Sequence, residues 1–347
     1  QSISIPASVS FLGNYAFFSA TSLSSVVFET GSLVTVIGDS VFNTNLSLTD
    51  IQLPKNITSI GDNAFYQAIR LPNISLPDTV TSIGKYAFSH TWTMSSFIAS
   101  DNLIIIDDYA FSYSGINLTY IGDSVGYVGE GVFGGAENLT SVLVSAENTN
   151  YKTIDGVLYS SDEKTLVAYP MGLSTNSIIP SGVEIIGAGA FYGNTELVNV
   201  TFPNTVTHIN DNAFYFNTTL NNITLPSSLQ FIGIQAFSVN SSLSQIIIPS
   251  SVKSIGRLAF NSDWELNTIT FESNSSLNRI GFAAFAGTGV TSLSIPSSVT
   301  EIAQGAFANS INLTSVVFEE NSMLTYIAAD IFTNSPVLSS KIGRAHV

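Results

Sequence analysis

The chain has no cysteine among its 347 residues. That removes disulfides, thiolate nucleophiles and cysteine-ligated zinc. Histidine is nearly as scarce, with 3 in all. His90 and His208 occupy different positions of the pattern described below and lie several units apart, so a shared catalytic or metal site is not expected. Charge is sparse as well: Asp, Glu, Lys and Arg make up 10%, against about 25% in an ordinary soluble protein. The 10 basic and 25 acidic residues leave a net charge of −15, which argues against nucleic acid and anionic membranes as partners. Long apolar runs are missing too, so no transmembrane helix is predicted.

What is present is apolar and periodic. Apolar residues make up 45%, enough for a large core. The segments "LPKNITSIGDNAF", "LPDTVTSIGKYAF", "IPSSVKSIGRLAF" and "IPSSVTEIAQGAF" repeat one pattern. Its last Phe recurs from Phe17 to Phe332, mostly every 23 residues, with excursions to 22 and 25 and one spacing of 58. Phe65, Phe88, Phe214, Phe237, Phe260 and Phe307 are among these predicted core positions. A fixed period of this length is the signature of a stacked repeat, in which each unit buries its apolar face only against its neighbours. The "LxxIxIP" segment alternates with period two and reads as a short strand. Pro ends it, because Pro cannot donate to a ladder. A second apolar pair follows, such as Val80 and Ile83. In "IGDxAF" the Gly reads as a tight turn, and the Asp or Asn as the cap of one helical turn.

This consensus resembles the BspA-like leucine-rich repeats over residues 1–340. The resemblance implies a right-handed leucine-rich-repeat solenoid of about 13 repeats. It would carry one parallel sheet on its concave face and short helical turns on its convex side.

The 58-residue spacing contains one insertion, about 146–172. In it "GVLYS" and "TLVAYP" flank the polar turn "SDEK", which predicts a β-hairpin projecting from the solenoid. It is either a structural elaboration or a contact arm bearing Tyr151, Lys152, Tyr159 and Lys164.

Other motifs dissolve into the repeat. "GEGVFG" at 129–134 matches a dinucleotide fingerprint, but Gly129 is the unit's turn Gly and Phe133 its core Phe. Asp39, Asp62, Asp108 and Asp211 share one slot, where capping explains each; a Ca²⁺ row would be broken by Lys85 and Arg257. Trp92 and Trp264 both follow their core Phe by four residues, either as loop packing or as an exposed aromatic patch. By parity, outward sheet positions such as Asn73, Ser75, Asn222, Thr224, Thr268 and Ser292 are small and polar, with Tyr120 the one aromatic contact candidate. Eleven N-x-S/T sequons, Asn45, Asn217 and Asn240 among them, are candidate glycan acceptors.

No catalytic residue, metal site or cofactor is expected. The resemblance implies an extracellular or cell-surface protein that mediates adhesion or protein–protein recognition. The alternative is a structural or glycan-binding module of a larger surface protein. The partner would be an extracellular protein or glycan. The last seven residues, "KIGRAHV", break the repeat mid-strand and resemble a translated sequencing adapter. Residues 341–347 are therefore expected to be non-native, on a solenoid truncated at both ends.

Overall fold

The computed structural model describes residues 1–338 and the backbone of the strand Ile342–Arg344. Lys341 and the last three residues of the unusual tail lie outside the described residues. The chain falls into two compact units, Gln1–Leu173 and Ser174–Val347. Both are β-solenoids of one kind, together about 14 turns.

In the first unit most coils carry two strand segments. The first column holds Ser2–Ile5, Ser25–Phe28 and Asp50–Ile51, paired in parallel and in register. It resumes with Ser96–Ile98, Leu118–Ile121 and Val142–Val144. The coil between them, residues 71–77, forms no strand. Pro72 falls inside it and removes one ladder donor. The second column is continuous: Val36–Ile37, Ser59–Ile60, Ser82–Ile83, Ile105–Ile106 and Tyr127–Val128.

The second unit repeats this plan. Its short second strands, from Ile185–Ile186 through His208–Ile209 to Tyr326–Ile327, pair without a break. Its first column is again divided. Asn176–Ile178, Asn199–Thr201 and Asn222–Ile223 form one group. Gln245–Ile248 pairs with Thr268–Phe271. Ser292–Ile295 pairs with Ser315–Phe318, to which Ile342–Arg344 adds. The single continuous sheet expected from the "LxxIxIP" segments is thus replaced. The unbroken ladders belong to the two-residue strands.

The expected helical turns are absent, since no helix occurs among the described residues. The reason lies in two left-handed residues per coil, placed two before and two after the core Phe. Around Phe65 they are Asn63 (φ 54°) and Gln67 (φ 55°); around Phe214 they are Asn212 (φ 52°) and Phe216 (φ 60°). A left-handed residue every fourth position cannot continue an α-helix. The backbone instead sends its amides two ways. The N–H groups of Asn63, Phe65 and Gln67 donate to Lys85, Ala87 and Ser89 of the next coil, at 2.7–2.9 Å. Those of Ala64, Tyr66 and Ala68 close local turns onto Gly61, Asn63 and Phe65. All six of these amides are bonded, three of them to the neighbouring coil.

The repeat's Asp and Gly serve the same stacking. Asp39 Oδ1 accepts from the Asp62 amide at 2.9 Å, and Asp62 Oδ1 from the Lys85 amide at 2.8 Å. Each carboxylate therefore caps the following coil rather than its own. Gly84 does not have positive φ; a Cβ there would stand 2.7 Å from Gly61 C and Asp62 N. It is glycine because the preceding coil passes too close for a side chain.

The core is a stack of aromatic rings. In the first unit Phe17, Phe42, Phe65, Phe88 and Phe111 succeed one another at centroid distances of 5.3–5.5 Å. In the second, Phe191 to Phe307 do so at 4.7–5.6 Å. Phe65, Phe88, Phe214, Phe237, Phe260 and Phe307 are all fully buried. Burying each contributes about 1.5–3 kcal/mol, with a further gain from offset stacking.

Candidate binding surfaces

The insertion folds back onto the first unit. Tyr151–Ile154, Val157–Ser160 and Thr165–Ala168 form a three-stranded antiparallel meander. Asn148 is buried and ties its base: Nδ2 donates to Gly122 O (2.7 Å) and Val125 O (3.0 Å). Its Oδ1 accepts from the amides of Asn150 (2.8 Å) and Tyr151 (2.9 Å). The Val142 amide donates to Gly156 O, and the Thr153 hydroxyl to Val142 O. Leu158 and Ala168 join the apolar core of this unit. The segment closes the core of its last coil; it does not project from it.

This placement decides what the insertion's side chains can do. Tyr151 is partly buried, and its hydroxyl accepts from the Val128 amide at 2.9 Å. Tyr159 is 3% exposed, and burial pushes its phenol far above the usual range. Both serve the fold. Lys152 and Lys164 stay at the surface, Lys152 in an ion pair with Glu163 at 2.6 Å. The structure therefore does not bring the four residues together as one exposed patch.

Tyr120 lies elsewhere, on the outward face of the first column. Register sets it directly opposite Ile98 on one side and Leu143 on the other. Ile98 is 66% exposed and Leu143 43%, with Leu118 exposed beside them. This is an apolar row across three adjacent coils, where the outward face was expected to be small and polar. Outward positions in the second unit follow that expectation more closely: Thr201, Thr224, Thr268, Thr270, Ser292 and Ser294 are all exposed. Its exposed aliphatics, Ile178, Ile247 and Val317, stand three coils apart from one another. The row in the first unit was readable in "SSFIAS", "LTYIG" and "SVLVS", where the outward slots hold Ile98, Leu118, Tyr120 and Leu143. Just beyond it in these coils come Asp101, Asp123 and Glu147. An apolar strip with an acidic border is the result.

Three sequons are closed by the fold. Asn45, Asn217 and Asn240 are all 0% exposed and hydrogen-bonded to backbone carbonyls. Each stands three residues after its core Phe, inside its own unit, and cannot carry a glycan in the folded protein.

The family model described as "BspA type Leucine rich repeat region" matches residues 1–116, 35–161, 171–280 and 278–345. No curated protein matches the chain significantly. Among solved structures, a leucine-rich cell surface protein of Faecalibacterium prausnitzii superimposes with a TM-score of 0.72 at 27% identity, over 94% of this chain and 82% of that one. The pneumococcal vaccine antigen PcpA gives 0.68 at 21% identity, over 96% and 78%. A leucine-rich repeat protein of Eubacterium ventriosum gives 0.67 at 24% identity, over 92% and 82%. The last two likenesses concern the fold alone.

Proposed function

The chain belongs to the BspA-type leucine-rich repeat family, and on that premise we propose that it is a non-catalytic recognition module of a secreted or surface-displayed protein. It holds an extracellular protein partner on the outward face of its first unit. The observation that carries this reading is the row Ile98–Tyr120–Leu143, with Leu118 beside it. Contiguous apolar side chains on a strand face, one of them a tyrosine, are what a protein interface centres on. The acidic border of Asp101, Asp123 and Glu147 favours a partner whose matching surface is apolar with a basic rim. Display outside the cell is supported by the F. prausnitzii relative, described as a cell surface protein.

The test measures binding of the purified chain to immobilised fibronectin, laminin and collagen by interferometry. Saturable binding to one of them is expected. The double variant Ile98→Ser, Leu143→Ser should weaken it at least tenfold while leaving the melting temperature unchanged, since both side chains are exposed. Undiminished binding of that variant, or no binding to any of the three proteins, would overturn the assignment.

A further inference from the structure

The chain has 2 tryptophans, and both are exposed at equivalent places. Trp92 follows Phe88 by four residues and is 61% exposed; Trp264 follows Phe260 by four and is 56% exposed. In each case the next coil is one residue short, and a glycine occupies the shortened turn: Gly115 after Trp92, Gly289 after Trp264. A Cβ on Gly115 would collide with the Trp92 carbonyl, and one on Gly289 with that of Trp264. The deletion draws the following coil tightly under the tryptophan backbone and leaves the indole beside a notch.

Only the first notch is furnished with further recognition groups. There a cleft of about 540 Å³ is lined by Trp92, His90, Tyr113, Glu137 and Asn138, together with small residues of the turn. The Tyr113 ring stacks on His90 at 5.0 Å, and His90 meets Tyr66 edge-on at 5.3 Å. Across the next coil Gly135 lies flat against Tyr113, where a Cβ would strike the ring. His90 Nδ1 is bonded to Ser89 Oγ at 2.8 Å, which leaves Nε2 as the ring nitrogen able to serve a ligand. Burial lowers the imidazole's affinity for protons, so the ring is neutral at pH 7. Glu137 and Asn138 are exposed on the far side. At the second notch the corresponding positions are Ser262 for His90, Gly287 for Tyr113 and Ile311 for Glu137.

We propose that the Trp92 cleft is a binding subsite for one neutral pyranose unit of a glycan. An exposed indole offers a flat apolar face to the axial C–H groups of a sugar ring. A carboxylate, an amide and a neutral imidazole around it supply the mixed donors and acceptors that vicinal hydroxyls need. The carboxylate of Glu137 and the net charge of −15 exclude uronic and sialic acids by like-charge repulsion. This cleft is separate from the apolar row proposed to hold a protein, so either can exist without the other.

Each tryptophan can report on its own notch. Trp264→Phe leaves Trp92 as the sole indole, and Trp92→Phe leaves Trp264. Each variant is titrated with methyl β-glucoside, methyl β-galactoside, methyl α-mannoside and chitobiose, following tryptophan emission. The Trp92 reporter is expected to give a saturable change with at least one sugar in the millimolar range, and the Trp264 reporter none. Adding Glu137→Ala to the Trp92 reporter should weaken that response about tenfold. Both notches are at the surface, so the variants should melt with their parent. No saturable change at Trp92 with any of the four sugars, or an equal change at Trp264, would overturn the subsite. The Ile98→Ser, Leu143→Ser variant should titrate like its parent, and saturating sugar should not displace a bound matrix protein; these two readings separate the failure of one site from that of the other.

Discussion

The backbone amide of Asn240 donates to Asp263 Oδ1 at 2.7 Å inside the second unit, where both side chains are fully buried. These residues occupy the same slot in successive coils, and the asparagine shows what the slot requires. Asn240 Nδ2 donates to the Phe237 carbonyl at 2.6 Å. Asp263 has an oxygen in place of that nitrogen, and its Oδ2 has no hydrogen-bond partner. Burial holds the Asp263 carboxyl well above the ordinary carboxylate range, so the neutral acid is the form the fold prefers.

Replacing Asp263 by Asn should therefore stabilise the protein at neutral pH. A carboxyl whose folded pKa is raised binds a proton more tightly folded than unfolded. Its contribution is fully present below the unfolded value of about 3.9 and is lost as pH rises toward and through the folded value. At pH 7 Asp263→Asn should gain about 1–3 kcal/mol, the cost of an unsatisfied buried polar group. Near pH 4 the gain should shrink toward zero, because a protonated Asp263 can itself donate. Urea unfolding of both proteins across this range measures the difference; a gain independent of pH would refute the assignment.

Phe237→Ala should cost about 3–5 kcal/mol. The ring lies 5.1 Å from both Phe214 and Phe260, nearly parallel to each, so the cavity breaks two stacking contacts at once. Phe17→Ala should cost clearly less, because Phe17 is only half-buried and stacks on Phe42 alone among the core rings. Urea midpoints of the two variants compare an interior coil with an outer one.

Two glycines should respond in opposite directions to alanine. A Cβ on Gly84 would press on the backbone of Gly61 and Asp62, so Gly84→Ala should destabilise by about 1–3 kcal/mol through overpacking. Gly13 has nothing within 4 Å of a Cβ and lacks a positive φ. Gly13→Ala should gain about 0.4–1 kcal/mol by restricting the unfolded chain. Equal melting temperatures for the two variants would show that coil spacing does not demand glycine at position 84.

The period of the core Phe made the solenoid legible, because stacking leaves only one place for that ring. The helical turn was misread for a local reason. Left-handed backbone at Gln67, Tyr86, Phe216 and Val239 is carried by residue types with no preference for it, so bonds to the next coil impose a conformation that local propensity does not advertise. The break at Pro72 was visible as a proline but not as a gap in a sheet. Tyr159 looked like a contact residue because aromatics favour interfaces; only the fold-back of three antiparallel strands shows that it is core. The outward row was not expected from the sequence, where Tyr120 alone stood out: Ile98, Leu118 and Leu143 depart from the polar consensus, but only the strand register sets Ile98 and Leu143 beside Tyr120.

The insertion separates a closing element from a free arm by experiment. Asn148→Ala removes four hydrogen bonds at once: the Asn150 and Tyr151 amides lose their acceptor, and the Gly122 and Val125 carbonyls keep only 3.4 Å contacts, from the Val125 amide and from Asn150 Nδ2. It should cost about 1–3 kcal/mol in urea unfolding. Lys152→Ala removes one exposed ion pair with Glu163 and should cost no more than about 1 kcal/mol, less in high salt. A free arm would make both substitutions nearly silent, since neither would couple the insertion to the core. A closing element makes the first costly and the second minor. The same geometry predicts that deleting residues 146–172 uncovers Leu139 and Val142, both 0% exposed. The deletion should lower the stability of the first unit well before it reports on any binding role.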